Sequence, residues 1–374
     1  MMSSLIPQAV RRIFSSGCPS KTTGLILGIE STCDESACAL MDFSGNVISH
    51  EIASQIDLTK SFGGVFPIEA ARAHRVNLPV LLDRVLPKAH DLRAIAIAIG
   101  PGLAPCLQVG VAASKKLALE RKLDLVAVNH LEAHVLVAML EHPQLKFPFS
   151  ALLLSGGHSL LLGVNGIGDY VIDAETRDDA VGEAYDKLAV LLGIETQAGE
   201  SFGAAVERRA RLGDPKDQES LLPLPMASVK DLAFSFSGLK SSARRRIQLM
   251  QMNTGSLSET QINNLCAAFQ ERVTQHLEKK LVTWNAQGFA SKNLVLCGGV
   301  ANNTMLFKRI HKLCSSLQIE LIRPSPELCG DNGIMIAYAG LHKYLLGHVV
   351  KDIESLTHNE RWPLGPTRSD FFTE

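Results

Sequence analysis

His130 and His134 lie four residues apart in "NHLEAHVLVAML", where an apolar strand-like stretch runs into a helix-like one. On a helix, residues four apart share one face, so both imidazoles can converge on a single ion. That geometry suits zinc or iron. A histidine pair at such a turn can also merely cap or solvate it, and the spacing alone leaves both interpretations open.

The histidine pair does not carry the pattern of a zinc protease. That signature places a glutamate directly after the first histidine, where its carboxylate acts as general base. Here that position is Leu131. The glutamate is Glu132, about 200° around a helix from His130, so neither HExxH nor HxxEH fits. If the pair binds a metal, the sequence does not predict peptide hydrolysis.

An acidic candidate for a third metal ligand is Asp331 in "CGDNGIM", at the start of the last predicted helix. An aspartate at this place is an ordinary helix cap. As a ligand beside His130 and His134 it would complete a set of two histidines and one carboxylate, with positions left open for substrate oxygens.

Three loops follow strands and are rich in glycine or hydroxyl groups: "GIESTCDES", "LSGGHS" and "LCGGVANN". Backbone N–H groups in such turns can meet phosphate oxygens. Glycine in a turn often serves only the turn itself. Taken together, the three loops predict a nucleotide-handling cleft. Asn303, early in its helix, contacts a base or ribose in one interpretation and caps the helix in the other.

A cluster of acids opens the helical stretch "ETRDDAVGEAYDKLAVLLG". The helix dipole favours acids in the first turn by about 0.3–1 kcal/mol each, which accounts for Asp178, Asp179 and Glu183. Asp186 follows farther along the same helix, three residues after Glu183 and seven after Asp179. We expect Asp186 to face ligand hydroxyls.

The pattern of apolar residues predicts the order βββαβαβα twice. Three strands followed by alternating helices, repeated, imply two similar α/β lobes with a mixed sheet in each and ligands in the cleft between them. The stretch "LSETQINNLCAAFQERVTQHLEKKLVTWNAQG" predicts one long packed helix. The expected segments are a transit peptide at 1–24, an N-terminal lobe at 25–145, a C-terminal lobe at 146–350 with a helical insertion at about 195–285, and a tail at 351–374.

The composition is that of a soluble globular enzyme, with 374 residues, 46% of them hydrophobic and 20% charged. No apolar run approaches the roughly 18 residues of a membrane span. Lysine and arginine number 37 against 38 acids, so nucleic acid would have to meet a local patch. Eight scattered cysteines without a CxxC pair predict reduced thiols.

The first 24 residues contain no acid, five serines, and basic residues beside apolar ones. This composition is typical of a mitochondrial transit peptide, and a disordered tail is the alternative. The mature domain would then begin at the strand "LILGIE".

The motifs together resemble a family, the tRNA N6-adenosine threonylcarbamoyltransferases, formerly labelled O-sialoglycoprotein endopeptidases, and within it a mitochondrial member. The resemblance covers residues 25 to 350. It rests on "GIESTCDES", "GGVFPIEAARAH", "GPGLAPCLQVG", "NHLEAH", "SGGHS", "DDAVGEAYDKLAVLLG", "FSFSGLKS", "GGVANN" and "CGDNGIM" in the family's order. It implies the actin-like ATPase (ASKHA) fold, which hexokinase and the Hsp70 chaperones share.

The resemblance also implies the ligand-binding residues. One divalent ion per subunit, iron or zinc, is expected on His130, His134 and Asp331. The acyl-adenylate phosphate is expected against a hairpin formed by Leu154, Ser155, Gly156, Gly157 and His158. The adenosine half, in a cleft that also suits ATP or ADP, is expected to contact Asp186, Gly203, Glu207, Asn302 and Asn303, with Gly199 as the alternative to Gly203.

The implied reaction moves a threonylcarbamoyl group from threonylcarbamoyl-AMP to N6 of the adenosine 3′ of the anticodon, position 37, in mitochondrial tRNAs that read ANN codons. The product is t6A, and AMP is released. Because AMP is a good leaving group, no protein nucleophile is expected, and the metal would act as a Lewis acid on developing negative charge.

Binding of tRNA would fall to local basic clusters. The candidates are Arg208, Arg209, Arg211 and Lys216 in "ERRARLGDPK", and Lys240, Arg244, Arg245 and Arg246 in "GLKSSARRRI". Each cluster is equally well explained as a solvated helix face. The resemblance further implies a separate synthase that supplies the adenylate, a homodimer, and the mitochondrial matrix as location.

Three rival functions make different predictions. A metalloprotease requires a general base beside the ion. A nucleotide-binding regulatory module on the same fold would bind ATP equally well with and without a metal chelator. A sugar or acetate kinase would normally carry an aspartate base and lack the histidine pair.

Overall fold

The computed structural model describes residues 23–226 and 231–368, which form two compact units. One unit contains the chain up to Thr59, Val65–Lys146 and Asp331–Pro363. The other contains Lys60–Gly64, Phe147–Gly330 and the chain from Leu364. The predicted transit peptide lies, up to residue 22, outside the described residues, as do residues 369–374 of the expected tail.

The first unit is built on a five-stranded mixed sheet in the order β3-β2-β1-β4-β5. Its strands are β1 (Leu25–Glu30), β2 (Glu35–Asp42), β3 (Val47–Ser54), β4 (Leu92–Gly100) and β5 (Asp124–Asn129). Strands β1, β4 and β5 are parallel, and β2 and β3 are antiparallel to their neighbours. The interior strand β4, "LRAIAIAIG", is apolar and buried from Ala94 onward because helices cover both faces of a parallel strand.

Helices follow the first three strands and alternate with the last two, as the sequence predicts. They are α1 (Ile56–Ser61), α2 (Pro67–Val85), α3 (Ala104–Arg121), α4 (His130–Leu136) and α5 (Ala138–Glu141). The helix-like stretch in "NHLEAHVLVAML" is interrupted at Val137, which separates α4 from α5. Asn129 begins α4 by accepting the N–H groups of Leu131 and Glu132.

The second unit repeats the arrangement with a sheet in the order β10-β9-β6-β7-β8. Its strands are β6 (Phe149–Leu154), β7 (Ser159–Gly166), β8 (Asp169–Glu175), β9 (Asn293–Cys297) and β10 (Glu320–Ile322). In both sheets the first strand pairs with the second and the fourth, the third pairs with the second, and the fifth pairs with the fourth. The predicted duplication is therefore confirmed at the level of strand order.

The helices of the second unit include those of the predicted insertion. They are α6 (Val181–Leu192), α7 (Phe202–Ala210), α8 (Ser237–Thr254), α9 (Glu259–Ala286), α10 (Thr304–Ser316) and α11 (Pro326–Cys329). Helix α9 is the single long helix expected there. A capping box between Ser258 and Gln261 fixes its start, and one face buries Phe269 and Trp284.

The last helix, α12 (Gly333–Leu345), belongs to the first unit. This differs from the expectation that the C-terminal lobe extends to residue 350. Glycines explain this position. A Cβ on Gly28 would lie 2.4 Å from the Ala337 nitrogen, and a Cβ on Gly340 would lie 2.2 Å from the Ala96 Cβ. Because both positions lack a side chain, α12 can lie directly against β1 and β4.

The described residues contain no helix long and apolar enough to cross a membrane. The seven cysteines among them are all free thiols. Burial raises the pKa of the Cys38 and Cys106 thiols to about 12, so both stay protonated and unreactive at neutral pH.

Candidate metal and adenylate sites

His130 and His134 begin and continue α4, one turn apart, directly after β5. Their side chains are 9% and 1% exposed. The rings lie edge to face with centroids 4.7 Å apart. A pair so deeply buried does not solvate a turn, and Asn129, not either histidine, caps the helix.

Asp331 joins the two histidines. Its Oδ1 lies 3.0 Å from Nε2 of His134 and 3.6 Å from Nε2 of His130. Its neighbour Asn332 caps α12 by accepting the Met335 N–H, so the ordinary explanation of Asp331 as the cap does not hold.

The three ligand atoms fit one divalent ion. They all lie within 4.8 Å of one another. Bonds of about 2.0–2.2 Å to zinc in tetrahedral geometry place neighbouring ligand atoms roughly 3.3 Å apart, close to the two distances to Asp331. Two imidazole nitrogens and one carboxylate are also a donor set that iron and zinc accept.

Glu30 and Thr32 contact Nδ1 of His130, the ring nitrogen other than the one nearest Asp331. Oε2 of Glu30 lies 2.9 Å from Nδ1 of His130, and Oγ1 of Thr32 lies 3.3 Å from the same nitrogen. Glu30 is 0% exposed and Thr32 1%. In the sequence, both residues belong to "GIESTCDES", a loop predicted only to meet phosphate oxygens. The sequence does contain a signal for Glu30: it is an acid at the end of an apolar strand. A buried charge at such a place needs a partner.

The carboxylates around His130 raise its pKa. Burial disfavours the imidazolium, but the carboxylates of Glu30 and Asp331 outweigh that cost and raise the pKa of His130 to about 9. The site therefore favours positive charge at this position. A divalent cation at Nε2 would be favoured by the same two carboxylates.

In the loop after β1, Ser31 and Thr32 are buried, so their hydroxyl groups are not available to a phosphate. Oγ of Ser31 contacts the carbonyl of Cys106 at 3.3 Å. A Cβ on Gly110 would lie 2.2 Å from that hydroxyl, and one on Gly102 would lie 2.7 Å from the Thr32 carbonyl oxygen. The glycines of "GPGLAPCLQVG" thus permit close packing of the loop that carries Glu30 and Thr32.

Glu132 cannot serve as the base of a protease. It is buried, and its Oε2 lies 3.0 Å from Nζ of Lys343 on α12. The carboxylate forms this ion pair with Lys343, whereas the angle around the helix predicted only that it points away from the ion.

In the second unit, Leu154 to His158 form the expected hairpin between β6 and β7. Ser155 N–H donates to the His158 carbonyl at 2.8 Å, and His158 N–H donates to Ser155 Oγ at 3.1 Å. Gly156 and Gly157 at the tip are exposed, and a Cβ on either would meet no atom within 4 Å. The start of α6 braces the hairpin, since Gly182 N–H donates to the Ser155 carbonyl.

Gly203 lies beside Asp186 in the same unit. A Cβ on Gly203 would come 3.9 Å from Asp186 Oδ1. Gly199, the alternative, has φ +72°, and a Cβ there would meet nothing within 4 Å, so this turn position is also open to a ligand. Glu207, one turn after Gly203 on α7, accepts the Thr304 N–H at 3.0 Å.

Asn302 and Asn303 are placed differently. Asn303 is 8% exposed, caps α10 by accepting the Leu306 N–H, and donates to Gln270 Oε1 at 2.7 Å. Asn302 is exposed and donates to the Pro326 carbonyl at 3.2 Å. The cap interpretation of Asn303 is thus realised, while the side chain of Asn302 lies at the surface.

The two basic clusters differ in how far acids neutralise them. Arg208 pairs with Glu200, and Arg209 with Glu259. In the second cluster Lys240 pairs with Asp179, whereas the side chains of Arg244 and Arg245 are exposed. A cavity of about 340 Å³ opens beside α8, lined by Gly63, Lys187, Val190, Leu191, Lys240, Ser241 and Arg244.

Comparison with known proteins identifies relatives over nearly the whole chain. The family model of TsaD, tRNA N6-adenosine threonylcarbamoyltransferase, matches residues 46–338. A probable mitochondrial tRNA N6-adenosine threonylcarbamoyltransferase of Arabidopsis thaliana is 37% identical over 363 residues, covering 91% of this chain and 75% of the relative. A tRNA N6-adenosine threonylcarbamoyltransferase of Methylobacillus flagellatus is 40% identical over 344 residues, covering 91% and 98%.

Among solved structures, HypF of T. kodakarensis aligns with a TM-score of 0.55 at 15% identity, over 90% of this chain and 50% of HypF. The chain spans about half the length of HypF, and the likeness concerns the fold alone. That fold is the actin-like ATPase fold, as expected from the motifs. The chain belongs to the tRNA N6-adenosine threonylcarbamoyltransferase family and is a tRNA-modifying transferase.

Proposed function

We propose that the chain transfers the threonylcarbamoyl group from threonylcarbamoyl-AMP to N6 of the adenosine at position 37, 3′ of the anticodon, in mitochondrial tRNAs that read ANN codons. The product is t6A, and AMP is released. The observation that carries this proposal is the convergence of His130, His134 and Asp331 in a chain of this family.

The reaction forms one bond and breaks one. The N6 amine attacks the carbamoyl carbonyl carbon, the new N–C bond forms, and the C–O bond to the phosphate breaks. AMP departs with the electron pair of that bond, and N6 gives up one proton to water. Because the leaving group is good, the protein's task is to orient the two substrates and to stabilise developing negative charge.

His130, His134 and Asp331 are the proposed ligands of one iron or zinc ion. When bound, the ion supplies Lewis-acid stabilisation of negative charge on an acyl substrate. Three protein ligands leave coordination positions for that substrate. Glu30 holds His130 in place through the contact of its Oε2 with Nδ1 of the histidine.

The second unit is proposed to bind the adenylate. The hairpin from Leu154 to His158 offers backbone N–H groups at its exposed glycine tip to the phosphate. Asp186 and Gly203 are proposed to contact the adenosine half together with Glu207, Asn302 and Asn303, and an ATP-type or ADP-type nucleotide would use the same residues. The adjacency of Gly203 to Asp186 and the exposure of Asn302 support this assignment.

Binding of tRNA is proposed for the basic clusters, with Arg208, Arg209 and Lys240 as secondary contacts and Arg244 and Arg245 as principal ones. The exposure of Arg244 and Arg245 supports this order, because exposed guanidinium groups can reach phosphates without first breaking an ion pair.

Location and assembly are proposed on other grounds. The acid-free first 24 residues and the mitochondrial relative from Arabidopsis support a mitochondrial matrix enzyme. A homodimer is supported by apolar side chains on α2, where Ile68, Val76 and Val80 are 51%, 69% and 46% exposed. A separate synthase would supply threonylcarbamoyl-AMP.

Reconstitution tests the proposal. The purified chain is incubated with threonine, bicarbonate, ATP, an adenylate-forming synthase and mitochondrial tRNA, and the nucleosides are analysed by mass. We expect t6A and an equal amount of AMP, and no t6A when the chain is omitted. Turnover of ATP to ADP without t6A, by folded and metal-loaded protein, would contradict the proposal and favour a kinase or a regulatory module.

A further inference from the structure

Glu30 is a fully buried carboxylate at the carboxyl end of β1. Its two oxygens have different partners. Oε1 accepts the backbone N–H of Thr32, and Oε2 lies 2.9 Å from Nδ1 of His130. A buried carboxylate is costly unless it is paired and hydrogen-bonded, so its position beside the histidine calls for a function.

We propose that Glu30 is a positioning residue that keeps the Nδ1 proton on His130 and thereby presents the Nε2 lone pair to the metal ion. This inference rests on the proposed metal role of His130, His134 and Asp331. It goes further, because it assigns the control of ligand orientation to one residue that is not itself a ligand.

The hydrogen-bonding capacity of the groups fixes the direction of the bond. An ionised carboxylate only accepts hydrogen bonds, and a neutral imidazole donates from one nitrogen and accepts at the other. Nδ1 of His130 must therefore donate to Glu30, so in the neutral ring, which is the form that binds a metal, the lone pair lies on Nε2. That nitrogen lies 3.6 Å from Asp331 Oδ1. Carboxylates behind metal-binding histidines act in this way in many metal sites.

The loop that carries Glu30 is held on both sides, so the carboxylate cannot easily swing away. Nε2 of His74 lies 2.9 Å from the Cys33 carbonyl oxygen, and Leu103 N–H donates to the Thr32 carbonyl at 2.9 Å. Both contacts fix the chain just after Glu30.

His134 lacks an equivalent support. Its Nδ1 is buried and has no hydrogen-bond partner within the part of the chain that the structure describes. Of the two imidazoles, His130 is thus the one whose orientation is set by a second residue. Losing Glu30 should therefore weaken the site even though all three ligands remain.

The decisive variant is Glu30→Gln, which keeps the side-chain volume. The Thr32 N–H still requires an acceptor, so the amide oxygen takes the place of Oε1 and the amide NH₂ faces Nδ1 of His130. The NH₂ group only donates. The imidazole must then carry its proton on Nε2, toward the metal position.

The first measurement is Zn²⁺ affinity, by competition with a chromophoric chelator. We expect Glu30→Gln to lose about 10- to 100-fold. The matched control is Thr32→Val, which removes the hydroxyl at 3.3 Å but keeps the carboxylate and the Thr32 backbone N–H. The Zn²⁺ affinity of that variant should stay within about 3-fold of wild type, because the Glu30 carboxylate that accepts the Nδ1 proton remains.

The second measurement is ¹⁵N NMR of labelled histidine, which a merely structural role of Glu30 would not affect. In Zn²⁺-loaded wild-type protein we expect a protonated Nδ1 on His130. In metal-free Glu30→Gln we expect the neutral ring to be protonated on Nε2. Because the wild-type spectrum requires no variant, the inference remains testable if Glu30→Gln does not fold.

A Nδ1 without a proton in Zn²⁺-loaded wild type, or unchanged Zn²⁺ affinity of folded Glu30→Gln, would overturn the role of Glu30. His130→Ala separates the two proposals. If His130→Ala loses Zn²⁺ while Glu30→Gln does not, only the role of Glu30 fails. If His130→Ala binds Zn²⁺ as tightly as wild type, the metal role of the histidines fails, and the inference about Glu30 fails with it.

Discussion

Oδ1 of Asp331 lies 3.0 Å from Nε2 of His134, although 197 positions separate the two residues along the chain. The histidine follows β5, and the aspartate precedes α12. The packing of α12 against the first sheet therefore determines whether the third proposed ligand reaches the other two.

Replacing Gly28 by alanine tests that packing. The new Cβ would lie 2.4 Å from the Ala337 nitrogen and the Gly333 carbonyl oxygen, so α12 must shift. Overpacking of this kind costs about 1–3 kcal/mol. We expect a lower midpoint of guanidinium unfolding and weaker Zn²⁺ binding. The control is Gly238→Ala on α8, where a Cβ meets nothing within 4 Å. Equal midpoints for the two variants would contradict this account.

Replacing Glu132 by glutamine distinguishes the transferase from the old protease label. The change removes the negative partner of Lys343, whose side chain is 12% exposed, and we expect a loss of about 1–3 kcal/mol in the free energy of unfolding. Formation of t6A below the unfolding transition should persist, since Glu132 faces the lysine. Loss of t6A in protein that is still folded and metal-loaded would give Glu132 a catalytic role and defeat the prediction.

The double variant Arg244→Ala/Arg245→Ala tests the principal tRNA contacts. Both side chains are exposed on α8. Removing two phosphate contacts should weaken tRNA binding and reduce the slope of log affinity against log salt by about 1 to 2. Zn²⁺ affinity should not change. Arg208→Ala is the comparison, because Arg208 already lies 2.9 Å from Glu200. If the slope of log affinity against log salt is unchanged in the double variant, Arg244 and Arg245 are not the principal tRNA contacts.

Acid stability should depend on His276, a fully buried residue of α9. Burial, and secondarily the charge of Lys280, lower the pKa of His276 to about 4. Between pH 6.5 and 4 the folded state therefore binds fewer protons than the unfolded state, so stability falls as the pH falls through this window. The loss is on the order of 3 kcal/mol at most.

The variant His276→Gln checks this dependence. Glutamine does not titrate, and its side-chain oxygen can still accept the Ser235 N–H that His276 Nε2 accepts at 3.3 Å. We expect a shallower fall of the unfolding free energy between pH 7 and 5 than in wild type. Parallel curves for the two proteins would refute the assignment to His276.

The sequence predicted the strands of both sheets and the histidine pair because these features depend on residues that are close together along the chain. Short apolar runs or alternating apolar residues mark the strands, and a spacing of four places His130 and His134 on one face of α4. The long helix α9 was equally visible from its apolar spacing and lack of proline.

Features that depend on distant contacts were not visible in this way. The position of α12 depends on Gly28 and Gly340, whose lack of a side chain matters only where another backbone approaches. Glu30 looked like one acid among several in "GIESTCDES" until the fold brought it against His130, 100 positions away. Asn303 illustrates a third limit, since the same residue type serves as ligand contact or helix cap.

The central claim is that His130, His134 and Asp331 hold an ion on which t6A formation depends. The most direct measurement compares wild type with His130→Ala and Asp331→Ala for bound metal, t6A yield and thermal unfolding. The account predicts that each variant stays folded, loses its bound metal and makes no t6A. Wild-type yields of t6A in both variants would contradict it.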